Sequence, residues 1–318
     1  MVSFSTIASD NLNFVIEEIE LTREAVAAPL ARVDARARAA AYVELTKPRI
    51  TLLVMLTAAA GYFLGAGRTL DYAGFLHTMA GVGLLSSGIA ALNQFMERAL
   101  DGRMRRTLMR PLPSGRLSAR AALLFGAALT VTAELYLLVF VNPLSALLGL
   151  GVVVGYLGCY TPLKTRTTLS TLVGAFPGAV PPLLGWAAAT GRVSAEGVVL
   201  FAILFLWQFP HFFAIAWMYR EDYARAGILM LPVVEPEGRL TKQQIVLWTL
   251  LLVPVSLAPA VLGLSGMIYF AGALVLGLLF LLCSVAAFLT FSRRNARRVL
   301  LASVLYLPLL FGLMVLNQ

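Results

Sequence analysis

YAGFLHTMAGVGLLSSGIAAL (Tyr72–Leu92), running straight into NQFMERALDGRMRRTLMRPLPSGRLSAR (Asn93–Arg120), is the stretch on which the fold turns. In the first part His77 is the one ionisable side chain. About 20 apolar residues suffice to cross the hydrocarbon core of a bilayer. Backbone groups in lipid must find partners within the segment, so such a run is a helix. The second part carries Arg98, Arg103, Arg105, Arg106, Arg110, Arg116 and Arg120. Clustered arginines just beyond an apolar run mark a loop on the cytoplasmic side.

Similar runs lie at 50–67, 119–141, 143–163, 168–190, 196–218, 245–265, 268–291 and 299–317, which with 72–92 makes nine. The chain therefore reads as an all-α polytopic membrane protein of about nine transmembrane helices. Its 318 residues are 59% hydrophobic and 13% charged, too little charge for the surface of a soluble domain. An outer-membrane barrel would alternate with period two, and these runs do not. Pro177, Pro181, Pro182, Pro210, Pro254 and Pro259 fall inside runs, where bends or breaks are expected.

With the N-terminus inside, every Lys and Arg except Arg68 and Arg192 falls on the cytoplasmic side. That asymmetry predicts N-terminus in and C-terminus out, and the short N-terminal tail favours a bacterial cytoplasmic membrane over an organelle's inner membrane. The asymmetry also accounts for the net charge of +9 without a nucleic-acid partner. Cys159 and Cys283 sit in apolar runs with no metal or disulfide spacing. Residues 1–45 read as a cytoplasmic tail or surface helix, acidic at 17–24 and Ala/Arg-rich at 32–41, with no signal peptide expected. Thr46 and Pro48 look like the opening of the first span, so the membrane domain is set at 46–318.

Chemistry gathers at the inner ends of the spans. Asn93, Glu97 and Asp101 recur every fourth residue, so they share one side of a helix, each about 6 Å further along. Two carboxylates and an amide oxygen suit Mg²⁺, which keeps water and takes substrate phosphate oxygens as its remaining ligands. The arginines that follow match phosphate in a bidentate way, and Lys164 and Arg166 stand in the next inner loop. Arg220-Glu-Asp222-Tyr, at the inner end of the sixth run, offers Asp222 from a second helix. Within the spans, His77, Glu134 and His211 are the ionisable groups, expensive in lipid and therefore of interest. A neutral His211 could ligate haem iron, bond a ligand propionate or a buried water, or be a satisfied core histidine. Glu134 must be neutral or paired.

The motifs resemble those of the UbiA-type intramembrane prenyltransferases. Asn93-x3-Glu97-x3-Asp101 is similar to that family's first acidic motif, with Glu in place of its usual Asp. Further strings resemble one branch, the protoheme IX farnesyltransferases. They are Leu45-Thr-Lys-Pro-Arg-Ile50, Met104-x-Arg106-Thr-x-x-Arg110-Pro111, Tyr160-Thr-Pro-Leu-Lys164, Gly174-Ala-x-Pro-Gly-Ala-x-Pro-Pro182, Leu206-Trp-Gln-x-Pro-His-Phe212 and Arg220-Glu-Asp-Tyr-x-x-Ala-Gly-Ile-x-Met-Leu-Pro232. Asp222 is followed four places later by Ala226, so a second acidic motif like the first is incomplete.

The resemblance implies a ring of nine helices around a lipid-open cavity, capped by cytoplasmic loops. It implies transfer of farnesyl from farnesyl diphosphate to a vinyl group of haem b with addition of water. Asn93, Glu97, Asp101 and Asp222 would be catalytic and hold Mg²⁺. Arg106, Arg110, Lys164, Arg166, Arg220 and His211 would bind substrate. Partners would be farnesyl diphosphate, haem b, membrane lipid, and a downstream haem A synthase or oxidase assembly factors. A UbiA-type enzyme acting on a quinone or chlorophyll precursor would lack the Trp207-to-His211 string. A secondary transporter would bind its anion near the midplane rather than at one mouth. A non-catalytic haem protein would not need the acidic stripe.

Overall fold

The computed structural model describes residues 34–67 and 69–318, so the acidic run at 17–24 and Arg68 lie outside the described residues. A surface helix, α1 (Ala35–Leu45), precedes the first span. Then come α2 (Pro48–Ala66), α3 (Tyr72–Asp101), α4 (Ala119–Phe140), α5 (Pro143–Leu163), α6 (Ser170–Thr190) and α7 (Ala195–Met218). Two short helices follow, α8 (Arg220–Ala226) and α9 (Leu231–Val234). The chain ends with α10 (Arg239–Val261), α11 (Met267–Leu289) and α12 (Arg293–Leu316). Among the described residues nine of these helices are long and apolar enough to cross a membrane.

Three departures from the expected spans matter. First, α3 does not stop at residue 92 but continues as one helix to Asp101, so the polar stripe is built on a rigid rod. Asp71 caps its outer end by accepting from the Ala73 N–H at 3.0 Å. Second, the inner part of α5, Val154–Tyr160, is a π-helix, which the sequence did not announce. Third, the prolines do not break their helices: α6 runs through Pro177, Pro181 and Pro182, and α10 through Pro254 and Pro259. Neighbouring helices in a membrane bundle tolerate the lost backbone bonds.

The spans form two groups. In the first, α2, α3, α4, α5 and α6 pack in sequence and α6 returns to α2, closing a five-helix ring. In the second, α7, α10, α11 and α12 close a four-helix ring around Phe209, Phe280 and Tyr306. Contacts of α6 with α7 and of α12 with α2 join them.

The α2–α6 crossing needs glycine. A Cβ on Gly61 would lie 1.9 Å from the Pro182 carbonyl oxygen, and one on Gly185 would lie 1.9 Å from that of Ala58. Small residues let helix backbones approach where lipid supplies no hydrophobic drive. This contact closes the ring, leaving a cavity of about 150 Å³ between α2, α3, α5 and α6. Its walls are apolar, including Ile50, Val54, Leu85, Val152 and Leu184, and Lys47 and Tyr156 stand at its inner end.

Candidate active site

The acidic stripe sits at the mouth of this cavity, where Lys47 stands. Asn93, Glu97 and Asp101 are 2%, 6% and 0% exposed, so none is simply a solvated end of a span. Each is met by a cation from another segment. Lys47 Nζ donates to Asn93 Oδ1 at 3.2 Å. Lys164 Nζ donates to Glu97 Oε1 at 2.5 Å. Arg110 Nη1 donates to Asp101 Oδ1 and Oδ2 at 2.7 and 2.8 Å. Asn93 also donates from Nδ2 to Thr161 Oγ1 at 3.2 Å, tying α3 to the inner end of α5.

Buried charges must be paired, and here the pairs alternate in sign around one mouth. Burial, reinforced by the charges of Arg110 and Lys164, pulls Lys47 down to about 8. Burial alone would also lower Lys164, but Tyr160 and the Glu97 carboxylate outweigh it and hold Lys164 above the ordinary lysine range.

The other expected residues occupy a cap over this mouth. Asp222 pairs with Arg225 and accepts from the Arg105 backbone N–H at 3.3 Å. Arg106 donates to Tyr223 Oη at 2.7 Å, and its guanidinium lies 5.1 and 4.9 Å from the rings of Tyr219 and Tyr223. Arg220 lies over Trp217 at 4.5 Å and reaches the Pro236 carbonyl oxygen at 3.4 Å. Arg166 is exposed on the Lys164 loop. Met104, Ala226 and Ile228 form a small apolar core beneath these contacts. The Leu229 N–H donates to the Lys164 carbonyl oxygen at 2.8 Å, so all three inner loops are joined.

His211, Glu134 and His77 stand apart from this cluster. His211 Nδ1 is 2.8 Å from Ser303 Oγ on α12, and its ring stacks on Trp207 at 4.7 Å. Glu134 lies against Gly149 between α4 and α5, with a buried Oε1 that has no hydrogen-bond partner. His77 Nδ1 is 2.8 Å from Tyr136 Oη near the outer face.

Could these residues hold Mg²⁺? Among the described residues no three His, Cys, Asp or Glu side chains form a ready-made cage, and Asp222 does not join Glu97 and Asp101 in one. The donor set is instead two carboxylates and an amide oxygen on one helix face. That fits Mg²⁺, which uses one or two carboxylates and completes its shell with water and phosphate.

A model of the UbiA prenyltransferase family matches residues 54–312. The chain belongs to that family. It is 54% identical over 286 residues to a protoheme IX farnesyltransferase of Solibacter usitatus, covering 87% of this chain and 98% of the relative. It is 47% identical to one of Koribacter versatilis, covering 87% and 93%. Among solved structures, a digeranylgeranylglyceryl phosphate synthase superposes with a TM-score of 0.75 at 17% identity, covering 88% of this chain and 98% of that one. A UbiA homologue of Archaeoglobus fulgidus bound to GPP and Mg²⁺ gives 0.59 at 15%, covering 86% and 99%. The chain is a multi-pass membrane prenyltransferase.

One site residue escaped the motif reading. Lys47 appeared there only within Leu45–Ile50, yet its ammonium is the one charged group lining the prenyltransferase cavity among the residues that bound it. It is also the one non-glycine with positive φ among the described residues, at 48°. Such a backbone costs roughly 1–2 kcal/mol. The following Pro48 disfavours the right-handed region for Lys47. The Gln94 amide holds the Leu45 carbonyl oxygen at 2.9 Å, fixing the chain just before the turn. The motif could have pointed to Lys47, but its aim into the mouth depends on a backbone conformation that residue type does not disclose.

Proposed function

We propose that this prenyltransferase moves a farnesyl group from farnesyl diphosphate to a vinyl carbon of haem b, with water added, giving haem O. The single observation that carries the reading is the stacking of two environments. A mouth of paired acids and cations sits directly on an apolar, water-poor cavity. The names of the relatives support the acceptor.

In this reading Asn93, Glu97 and Asp101 hold Mg²⁺, and Asp222, which is paired with Arg225 in the cap, would join them only if the cap closed over a bound diphosphate. When bound, the ion neutralises charge on the leaving diphosphate. Lys164 and Arg110 turn from their carboxylates to the diphosphate oxygens, and Lys47 reaches the same oxygens from the cavity side. Arg106, Arg166 and Arg220 supply further positive charge over the mouth. Such donors favour bond breaking because they are aimed where negative charge grows. The walls formed by Ile50, Val54, Leu85 and Val152 keep bulk water from the allylic cation until the vinyl carbon attacks. The catalytic unit is assigned to residues 46–318, with residues 1–45 as a cytoplasmic tail or surface helix. The bias of Lys and Arg supports an N-terminus inside, and the relatives in Solibacter and Koribacter support a bacterial inner membrane. A downstream haem A synthase or oxidase assembly factor would take the product.

The test is to incubate purified protein with haem b, farnesyl diphosphate and Mg²⁺ and weigh the haem product. Haem heavier by one farnesyl group and one hydroxyl group is expected, with diphosphate released, and none from Glu97→Gln. Unmodified haem from the native chain overturns the reading. The haem contact proposed for His211 is checked by titrating haem into His211→Ala, where an unchanged affinity removes it.

A further inference from the structure

The cavity under the mouth is apolar but not uniformly so. Lys47, Ser86 and Tyr156 are the polar side chains that line it. Lys47 is taken by Asn93. Ser86 stands on α3 seven residues before Asn93, so it shares the face of the acidic stripe and lies about 10 Å deeper.

Neighbours fix the hydrogen-bond sense of Ser86. Thr51 Oγ1 on α2 donates its one proton to the Thr46 carbonyl oxygen at 2.9 Å. Ser86 Oγ lies 3.0 Å from the same Thr51 Oγ1, and with that proton spent Ser86 is the donor. The lone pairs of Ser86 are left as acceptors for the cavity that it lines. Tyr156, from the π-helical part of α5, packs against the cluster of Leu85 and Ile89, the stretch of α3 that carries Ser86. A buried water needs two to four polar partners, and Ser86 and Tyr156 border one small space.

The proposed reaction consumes a water, which must meet the haem side chain but not the farnesyl cation. We propose that Ser86 holds the water that becomes the new hydroxyl group, with Tyr156 as its second partner. The inference rests on the haem-farnesylation reading and deepens it by placing this water. As C1 of the farnesyl group leaves the diphosphate oxygen, the vinyl π electrons form the bond from the terminal vinyl carbon to C1. The positive charge then lies on the vinyl carbon next to the porphyrin. Ser86 accepts from one O–H of the water, which turns an oxygen lone pair away from Ser86 toward that carbon. The lone pair forms the C–O bond, and the water's other proton passes to the released diphosphate. The diphosphate is gripped at the mouth, about two turns of α3 from Ser86, so the held water lies out of reach of C1 when it ionises.

Without a held water the same cation loses a proton to the released diphosphate and becomes an alkene, lighter by one water. The ratio of the two farnesylated haems, read by mass, is therefore the measurement, and a merely structural change does not move it. Ser86→Ala removes the acceptor and suits a helix. Ser86→Cys keeps the shape but offers only a weak acceptor. Thr51→Val breaks the same bond between α2 and α3 and leaves the Ser86 oxygen in the cavity. Purified variants are incubated with haem b, farnesyl diphosphate and Mg²⁺, and the native product is carried through the same extraction. Both Ser86 variants should lower the ratio of hydrated product to alkene by about fivefold or more, the scale of one hydrogen bond. Thr51→Val should keep the native ratio. A native ratio in both Ser86 variants, or an equal fall in Thr51→Val, overturns the assignment. So does loss of all farnesyl transfer in a Ser86 variant that melts like the native chain, since the oxygen then serves the transfer step. No farnesylated haem from the native chain defeats the reaction reading itself, and this inference with it.

Discussion

Lys164 Nζ lies 2.5 Å from Glu97 Oε1, joining the loop after α5 to the inner end of α3. Both side chains are nearly sealed from solvent, at 13% and 8% exposure. The same two residues are the proposed grips for diphosphate and for Mg²⁺. The mouth is therefore held by bonds that must be exchanged when substrate arrives.

That exchange has a stability signature. Removing one partner of a buried pair leaves an uncompensated charge and costs about 3–5 kcal/mol. Lys164→Met should lower the melting temperature in detergent clearly more than the double change with Glu97→Gln. Neither variant should turn over substrate. Equal melting of the single and double variants would mean that the pair contributes nothing to the fold.

Asp101 is held differently, since one guanidinium nitrogen of Arg110 serves both of its oxygens. A lysine ammonium could serve both Asp101 oxygens in the same way, but it lacks the further guanidinium nitrogens that the proposed diphosphate contact uses, and for such contacts the two are not interchangeable. Arg110→Lys should melt close to the native chain while losing about 10²–10³-fold in kcat, the scale found on removing one aimed donor. Rates within a few-fold of native would remove Arg110 from the diphosphate site.

Much of this was legible before any coordinates. Nine apolar runs imply the nine long helices, because lipid leaves the backbone few choices. The i, i+4 spacing of Asn93, Glu97 and Asp101 fixes their common face, and they share one mouth with Lys164 and Arg110. What could not be read depends on contacts between distant segments. The clamp of Arg106 between Tyr219 and Tyr223 needs two loops more than a hundred residues apart. The π turn in α5 and the left-handed Lys47 are backbone states that residue type alone does not disclose. The closing of the first helix ring follows from Gly61 meeting Pro182 and Gly185 meeting Ala58, far apart in the chain, and neither glycine carries a local signal.

Those glycines can be tested directly. Gly185→Ala would drive a methyl group into the Ala58 carbonyl oxygen, where the backbone itself must shift. Overpacking of this kind costs typically about 1–3 kcal/mol. Gly185→Ala should lower the melting temperature, and Gly61→Ala should do the same from the other side of the crossing. Since α2 also carries Lys47 at its start, both should weaken diphosphate binding. Unaltered melting of either variant would show that α2 and α6 cross less closely.

Metal dependence separates the roles of the acids from those of the bases. A chelator should abolish turnover and weaken diphosphate binding, and Mg²⁺ should restore both. Ca²⁺ should restore them poorly, since it prefers six to eight oxygen ligands at longer distance and the stripe offers few. Haem binding should be unchanged throughout. Full turnover after exhaustive chelation would exclude an ion from the Asn93–Asp101 stripe.

Lys47 combines strain with burial, so function and stability should part company there. Lys47→Gly adopts φ of 48° freely and removes a cation that burial already disfavours. Its ligand-free form should melt no lower than the native chain. Lys47→Met loses the charge but keeps the strained backbone, and should melt below the glycine variant. Both should bind pyrophosphate with Mg²⁺ at least about tenfold more weakly, since a hydrogen bond to a charged group is worth roughly 1.5–3 kcal/mol. A native affinity in both variants would show that the ammonium merely orients Asn93. Loss of stability in Lys47→Gly would show that the bond to Asn93 outweighs the strain, and that the αL turn is there for the fold rather than for the substrate.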